Sequence, residues 1–214
     1  MIDEGDAWDE DNPSYRLEKG DRLFINDDER FLFDKNNDYC YIGYRLGSFD
    51  GYAYAYKQAA DRLVESLKNY PIPFNNYLTP PIVYLYRHYL ELHLKSLVYG
   101  NKPPDQPNHR LYELWKKLKR KLPDTCGASV IEVVEECIME FDDVDRESDA
   151  FRFHIGKGKK SLLNTPYLLD VNYINLLHLK DKMSGIHDFL LESDLLLMED
   201  SNQASTANPT TNFE

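Results

Sequence analysis

The residues best suited to chemistry lie in the segment 84–95, which reads YLYRHYLELHLK. In a helix, at about 100° per residue, four polar side chains of this segment share one narrow stripe: Arg87, His88, Glu91 and Lys95. Two interpretations of the stripe stay open. It is a ladder of ion pairs from Arg87 through Glu91 to Lys95, worth roughly a few tenths of a kcal/mol per pair. Alternatively, it faces a groove or another subunit, where Glu91 fixes Arg87 for a phosphate.

A second candidate lies in the segment 145–160, which reads DRESDAFRFHIGKGKK. If residues 151–155 are extended, Arg152 and His154 project on the same side. The glycine-containing loop that follows can bring backbone amides and ammonium groups toward a phosphate. The side chains expected to bind such a phosphate here are Arg152, His154, Lys157, Lys159 and Lys160, as an element beside Arg87 and Glu91. The alternative interpretation is a flexible basic loop.

The sequence offers little support for metal or cofactor chemistry. His88 and His93 are five residues apart, which misses the helical spacing for a shared metal ion, and no H-E-x-x-H, Walker A or dinucleotide-binding motif occurs. The three cysteines, Cys40, Cys126 and Cys137, include no C-x-x-C pair. This pattern disfavours a disulfide scaffold or a cysteine zinc site and favours a reducing cytosol. We therefore predict a cytoplasmic protein without a metal site or a cofactor.

The net charge of −12 is unevenly distributed along the 214 residues. Residues 1–30 hold eleven acids and four bases, and residues 191–214 hold five acids and no Lys or Arg, so the remainder is neutral. Basic side chains concentrate at 116–121 and at 152–160. Basic charge on one face permits polyanion binding by a protein that is acidic overall; the alternative is a solvated helix face and a basic loop. No stretch approaches eighteen uncharged apolar residues, so we expect no membrane span.

The elements that must position these residues are helical in pattern. Apolar periodicity, together with Pro and Gly signals, predicts five helices at about 48–70, 82–99, 109–121, 129–141 and 171–198. Pro80 and Pro81 are expected to open the second helix, and Gly100 to end it. The polar stretch 142–165 predicts an exposed connector rather than a core element.

The two ends of the chain differ in composition from the helical region 48–199. Residues 1–47 form an acidic arm with short strand-like runs, and residues 200–214 are rich in Ser, Thr and Asn and predict a disordered tail. The predicted fold is therefore all-α. We expect an antiparallel bundle of about five helices with a short β-like N-terminal arm.

Three segments follow one another in an order typical of a known helical family. A Tyr-rich helix carries Glu91-Leu-His-Leu-Lys95, a loop with Gly and Pro follows, and the next segment reads His109-Arg-Leu-Tyr-Glu-Leu-Trp115. This order resembles HEPN (higher eukaryote and prokaryote nucleotide-binding) domains, which are helical bundles with a Glu-x-x-x-Lys helix and a His-x-Leu-x-x-Leu segment. Ala150-Phe-Arg152-Phe is similar to an Ala-Arg-Tyr segment of some members. The resemblance covers about residues 50–190.

The resemblance implies chemistry on RNA. Some HEPN domains cleave RNA without a metal, and others bind RNA or nucleotides or act as scaffolds. Active members carry Arg, then a polar residue, then His, with four to six residues between Arg and His. Arg87, His88 and His93 match that pattern and are the implied catalytic residues: a cation for the scissile phosphate and an imidazole for the 2′-hydroxyl proton. His93 falls in the apolar arc of its helix, where a hydrogen-bonded core histidine is the alternative.

Two functions therefore stay open. The first is a HEPN-like, RNA-directed protein of bacterial antiviral-defence or toxin–antitoxin type, which binds RNA and in its stronger form is a metal-independent endoribonuclease. Its RNA-binding side chains would be Glu91, Lys95, Arg152, His154, Lys157, Lys159 and Lys160. The second is a non-catalytic scaffold that binds a partner protein, with the acidic arm and tail contacting a basic partner. The resemblance implies a homodimer in either case.

Overall fold

The computed structural model describes residues 48–69, 72–100, 102, 108–153 and 173–206. Within these ranges all regular secondary structure is helical. The five α-helices are α1 (Phe49–Ser66), α2 (Ile72–Tyr99), α3 (Leu111–Lys119), α4 (Ala128–Val144) and α5 (Leu176–Thr206), with short 3-10 turns at Leu67–Asn69 and Asp124–Cys126. The predicted all-α class is confirmed for these residues. The predicted β-like arm, residues 1–47, lies outside them.

Helix α1 begins where the sequence predicts. The Ser48 side chain accepts a hydrogen bond from the Gly51 N–H at 3.2 Å, and Asp50 lies in the first turn, where a negative charge suits the helix dipole. Four residues spaced three or four apart form the buried face of the helix: Ala53, Lys57, Ala60 and Val64. The small size of the two alanines permits close packing of α1 against α2.

Helix α2 begins earlier than predicted. The pattern predicts a start at Ile82 after Pro80 and Pro81, but the helix begins at Ile72 and contains both prolines. Each proline lacks an N–H and conflicts with the carbonyl four residues earlier, which usually ends a helix. Both prolines and Tyr77 are exposed, so water can satisfy the carbonyls released on this turn. Gly100 ends the helix as predicted, with φ of +62°.

The remaining helices follow the predicted positions closely, except at the C-terminus. Helices α3 and α4 differ from the predicted boundaries by no more than three residues. Helix α5 continues to Thr206 instead of ending near Met198. Within the predicted tail, residues 200–206 are thus helical, and residues 207–214 lie outside the described part. None of the described helices is long and apolar enough to cross a membrane.

Helix α2 is the central element of the core. It packs against α1, α3 and α5, and α3 packs in turn against α4. The largest fully buried apolar side chains come from four helices: Ile82, Tyr86, Tyr89, Leu90 and Leu94 of α2, Leu111, Leu114, Trp115 and Leu118 of α3, Ile138 of α4 and Met183 of α5. Burying a large apolar side chain stabilises the folded state by about 1.5–3 kcal/mol relative to leaving it exposed.

The prediction of an exposed connector after residue 141 is wrong for its first part. Helix α4 continues to Val144, and Asp142, Asp145, Ser148 and Ala150 are all buried. Asp142 accepts a hydrogen bond from the Tyr112 N–H at 3.3 Å, near the start of α3. Polar composition misleads here because a carboxylate can be buried when backbone N–H groups and cations satisfy it.

Candidate functional site

The guanidinium of Arg87 lies at the centre of a buried charged network. Arg87 is 0% exposed, and each of its three nitrogens donates a hydrogen bond. Nη1 donates to Glu91 Oε2 at 2.8 Å, Nη2 to the carbonyl oxygen of His109 at 2.6 Å, and Nε to the carbonyl oxygen of Asp145 at 3.0 Å. Arg87 therefore connects α2 to His109, just before α3, and to Asp145, in the turn after α4.

Glu91 accepts hydrogen bonds from three side chains. Oε2 accepts from Arg87, whereas Oε1 accepts from Lys95 Nζ at 2.7 Å and from His109 Nδ1 at 2.8 Å. Burial raises the pKa of Glu91, but the hydrogen bond and charge of Lys95, the hydrogen bond of His109 and the charge of Arg87 together lower that pKa below its ordinary value. The carboxylate is therefore ionised at neutral pH. The predicted ladder from Arg87 to Lys95 is present, but it is buried instead of solvated.

Asp145 is a partner of Arg87 that the sequence interpretation misses. Its Oδ1 accepts the N–H groups of Asp149 at 2.7 Å and Ala150 at 2.9 Å, which fixes the turn after α4. Its Oδ2 lies 3.4 Å from Arg87 Nε, close enough for attraction, although that N–H points at the Asp145 carbonyl oxygen. The only signal in the sequence is an acidic run without an ion-binding loop, which gives no hint of a buried role.

His109 is the second residue that the sequence interpretation leaves without a role. Its carbonyl oxygen is held by Arg87 and its Nδ1 by Glu91, yet its side chain is 53% exposed. We define the charged network as Arg87, Glu91, Lys95, His109 and Asp145. His109 is the member through which this network reaches solvent, because the other four are buried.

Two aromatic rings, Tyr84 and His88, lie on the same stripe of α2, nearer its start, and side chains from other elements contact them. The His88 ring stacks on Tyr84, with centroids 5.6 Å apart and 11° between the planes, and meets Tyr56 of α1 edge-on at 4.5 Å. The Arg152 guanidinium lies 5.6 Å from the Tyr84 centroid and 5.5 Å from that of Phe153. We call these five residues the aromatic column. Arg152 and Phe153 are exposed, and the other three are half-buried.

Burial lowers the pKa of His88 below its usual value. The ring is therefore neutral at pH 7, and it acts in the column as an aromatic surface instead of a charge. Arg152 supplies the permanent positive charge there, and its Nη2 also donates to Asp149 Oδ1 at 2.9 Å. The sequence places Arg152 and His88 in separate candidate sites, whereas the fold brings both to Tyr84.

His93 lies on another side of α2, in an imidazole cluster that we define as Tyr89, His93 and His187; Tyr89 and His93 are buried and His187 is half-buried. The Tyr89 hydroxyl is 3.2 Å from His93 Nδ1 and 3.0 Å from His187 Nδ1 of α5. Burial lowers the pKa of His93 to about 4 and also lowers that of His187. The hydrogen-bonded core histidine anticipated as an alternative is thus present, and its ring does not meet Arg87.

The two basic clusters of the sequence differ in how much the structure describes. In the first, the ammonium groups are mostly engaged: Lys116 pairs with Glu113, Lys119 pairs with Glu135, Lys117 donates to the Tyr99 hydroxyl and Lys121 donates to the Val98 carbonyl oxygen. In the second, only Arg152 is described. His154, Lys157, Lys159 and Lys160 lie outside the described residues.

No group of three or more metal-ligating side chains occurs among the residues that the structure describes. Comparison of the chain with models of protein families, with curated proteins and with solved structures gives no significant match. The charged network and the aromatic column are therefore the features that bear on function, and the likeness to HEPN domains stays a prediction.

Proposed function

We propose that this chain is an RNA-binding protein of HEPN-like type. Within the described residues, its RNA contact surface is the aromatic column. The observation that carries the proposal is the juxtaposition of an arginine with stacked, partly exposed rings on one side of α2. Proteins bind single-stranded nucleic acid by stacking bases on aromatic side chains while cations follow the backbone. Arg152, Tyr84 and Phe153 offer both functions within a few ångströms.

In this proposal, the charged network positions the chain segments next to the aromatic column. Arg87 and Glu91 hold the residues before α3 and the turn after α4, and that turn leads directly into Arg152 and Phe153. The segment with His154 and Lys157–Lys160 continues from there and would add cations for phosphates. Because Arg87 is 0% exposed and each of its three nitrogens already donates within the chain, direct contact of Arg87 with a scissile phosphate requires the network to open.

The proposal keeps the finer expectations from the sequence. The helices form an antiparallel bundle, which the close packing of α1 on α2 across a short connection supports. Two copies form a homodimer, and the protein belongs to a bacterial defence or toxin–antitoxin system. Metal-independent cleavage is the stronger form of the proposal.

A non-catalytic module that binds a partner protein is the second candidate. The supporting observation is a row of exposed apolar side chains on α5, with Leu191 at 46%, Leu195 at 63% and Met198 at 54% exposure. Their spacing of four and three residues places them on one face of the helix. Exposed apolar patches of this kind occur at protein–protein interfaces.

The first experiment measures binding of a fluorescein-labelled single-stranded RNA by anisotropy, at several salt concentrations. We expect the affinity to fall steeply with salt, because binding releases counterions. Tyr84→Ala is expected to weaken binding roughly 5- to 150-fold, since stacking of one base contributes about 1–3 kcal/mol. Tyr54→Ala is the matched control, because Tyr54 is exposed on α1 but lies outside the column.

If the Tyr84 and Tyr54 variants are both folded and bind RNA with equal affinity, the aromatic column is not part of the RNA site. If the wild-type protein binds no RNA, the RNA proposal fails. A protein complex that is lost in Leu195→Asp and retained in Tyr84→Ala would then favour the partner-binding module.

A further inference from the structure

The Glu91–His109 pair has the geometry of an oriented general base. We propose that His109 supplies the imidazole that accepts the 2′-hydroxyl proton during metal-independent RNA cleavage at this site. This inference rests on the proposed RNA-binding function and assigns its catalytic group. It differs from the sequence pattern, which points to His93.

Two hydrogen bonds from the charged network hold His109. Arg87 Nη2 donates to its carbonyl oxygen at 2.6 Å, which fixes the backbone, and Glu91 Oε1 lies 2.8 Å from its Nδ1, which fixes the ring. Arg87 and Glu91 are themselves 0% and 1% exposed and tied to each other. A base held this rigidly loses little entropy on reaching its substrate.

The partner of Nδ1 also determines which ring nitrogen can act. An ionised carboxylate only accepts hydrogen bonds, so Nδ1 must carry the proton. In neutral His109 the lone pair is therefore on Nε2, which has no hydrogen-bond partner among the described residues. The same use of a buried carboxylate to set the tautomer and orientation of an imidazole occurs in hydrolytic triads.

Lys95 adds a positive charge beside the imidazole. Its Nζ donates to Oε1 of Glu91 at 2.7 Å, the same oxygen that meets His109 Nδ1. Positive charge fixed near a reacting phosphate stabilises the extra negative charge of the transition state. The pairing of Lys95 with Glu91 keeps that ammonium group in one place.

His109 contacts Glu91, which lies on the same stripe of α2 as Tyr84 and His88 of the aromatic column. Glu91 follows His88 by three residues and Tyr84 by seven, which is about 4.5 Å and 10 Å along the helix axis. A strand stacked on Tyr84 and Phe153 can therefore extend past Glu91 toward His109. His93 is less suitable, because it is 5% exposed and bonded to Tyr89 on another side of α2.

The proposed step is a transesterification within the RNA. His109 Nε2 takes the 2′-hydroxyl proton, and the 2′ oxygen forms a bond to phosphorus. The bond from phosphorus to the 5′ oxygen of the next nucleotide breaks, and that oxygen takes a proton from water. The products are a 2′,3′-cyclic phosphate and a 5′-hydroxyl, and His109 then returns its proton to the solvent.

The test compares RNA cleavage in EDTA by the wild-type protein, His109→Ala and His178→Ala, with RNA affinity measured on a non-cleavable 2′-deoxy analogue. General-base catalysis is typically worth 10²- to 10⁴-fold, so His109→Ala should lose at least about 100-fold in rate while its affinity changes by less than about threefold. Added imidazole should restore part of the rate. His178, an exposed histidine of α5, should be dispensable.

His93→Gln separates the two histidines, and its thermal unfolding shows whether it folds. A folded His93→Gln that cleaves normally supports His109 as the base. If the wild-type protein binds RNA without cleaving it, or if His109→Ala cleaves normally, the inference is overturned and RNA binding stands. Lost cleavage without imidazole rescue, together with weaker binding or a lower Tm, would assign His109 a structural role. Absence of RNA binding would remove the proposed function itself.

Discussion

Two polar clusters centred on α2, the charged network and the imidazole cluster, accommodate buried polar side chains in opposite ways. The charged network keeps the Glu91 carboxylate ionised and satisfies both Arg87 and Glu91 with several hydrogen bonds each. The imidazole cluster stays neutral, because burial lowers the pKa of His93 and His187. Charged groups in a protein interior need multiple partners, whereas neutral rings need only one or two hydrogen bonds.

The two groups also differ in their access to solvent. The charged network ends at His109, whose side chain is half exposed, whereas His93 is 5% exposed and packs between α2 and α5. A reactive group must be held rigidly and must also reach its substrate. By that criterion the charged network is the better candidate, although the Arg–His spacing of the sequence points to the imidazole cluster.

The largest effect is expected from breaking the charged network. Arg87→Met leaves one oxygen of Glu91 and the carbonyl oxygens of His109 and Asp145 without their donor. Removing one partner of a buried ion pair typically destabilises a protein by about 3–5 kcal/mol. We expect a loss of this size in urea-induced unfolding. Arg87→Lys, which keeps the charge but not the forked donor geometry, should recover part of the lost stability. A loss below about 1 kcal/mol in Arg87→Met would show that the charged network contributes little to stability.

The charged network and the imidazole cluster should also lose their contributions to the free energy of unfolding in separate pH ranges. The pKa of folded His93 is about 4, below the unfolded value of about 6.5, so its contribution is complete above pH 6.5 and is lost as the pH falls toward 4. The size of this loss is on the order of 3 kcal/mol. Glu91, whose pKa is lowered from 4.5, contributes above that value and loses its contribution only as the pH falls through its lower folded pKa.

Urea unfolding from pH 7 to pH 3 measures both ranges. His93→Gln should flatten the decline above pH 4.5, while Glu91→Gln should leave that upper decline in place. An unchanged pH profile in His93→Gln would mean that other groups, such as His88 or His187, cause the loss.

A smaller effect is expected within the imidazole cluster. Tyr89→Phe keeps the ring but removes the hydroxyl that meets both His93 and His187. The buried imidazole of His93 and the half-buried imidazole of His187 then lose a partner, which should reduce the free energy of unfolding by about 1–3 kcal/mol. Tyr52→Phe, at a half-exposed position of α1, is the control and should be neutral. Equal stability of the two variants would mean that water replaces the lost hydroxyl.

The smallest effect is expected at an exposed ion pair. Lys116 and Glu113 of α3 are 2.7 Å apart, like Lys95 and Glu91, but their side chains are 38% and 40% exposed. Exposed pairs contribute about 0.2–1 kcal/mol, so Lys116→Ala should change the free energy of unfolding by less than about 1 kcal/mol. A larger loss than in Lys95→Ala would contradict the importance of burial for these pairs.

Local patterns predict most of the helical structure. The Ser48 cap, the apolar periodicity of α3 and Gly100 each act over a few residues, so their effects can be read from the sequence. The prolines at 80 and 81 fail as boundary signals because their exposed position lets the helix continue through them. The polar segment after residue 141 misleads for another reason, since the partners of Asp142 and Asp145 come from distant parts of the chain.

In the candidate site, too, local sequence patterns predict one part and long-range packing determines the other. Helical spacing alone places Arg87, Glu91 and Lys95 on one stripe, because residues four apart share a helix face. Spacing cannot reveal that this stripe is buried, or that the stripe meets His109 and Asp145, which are 18 and more residues away along the chain. Those contacts depend on how α3 and the turn after α4 pack on α2, and that packing also brings Arg152 to Tyr84 and moves the best candidate base from His93 to His109.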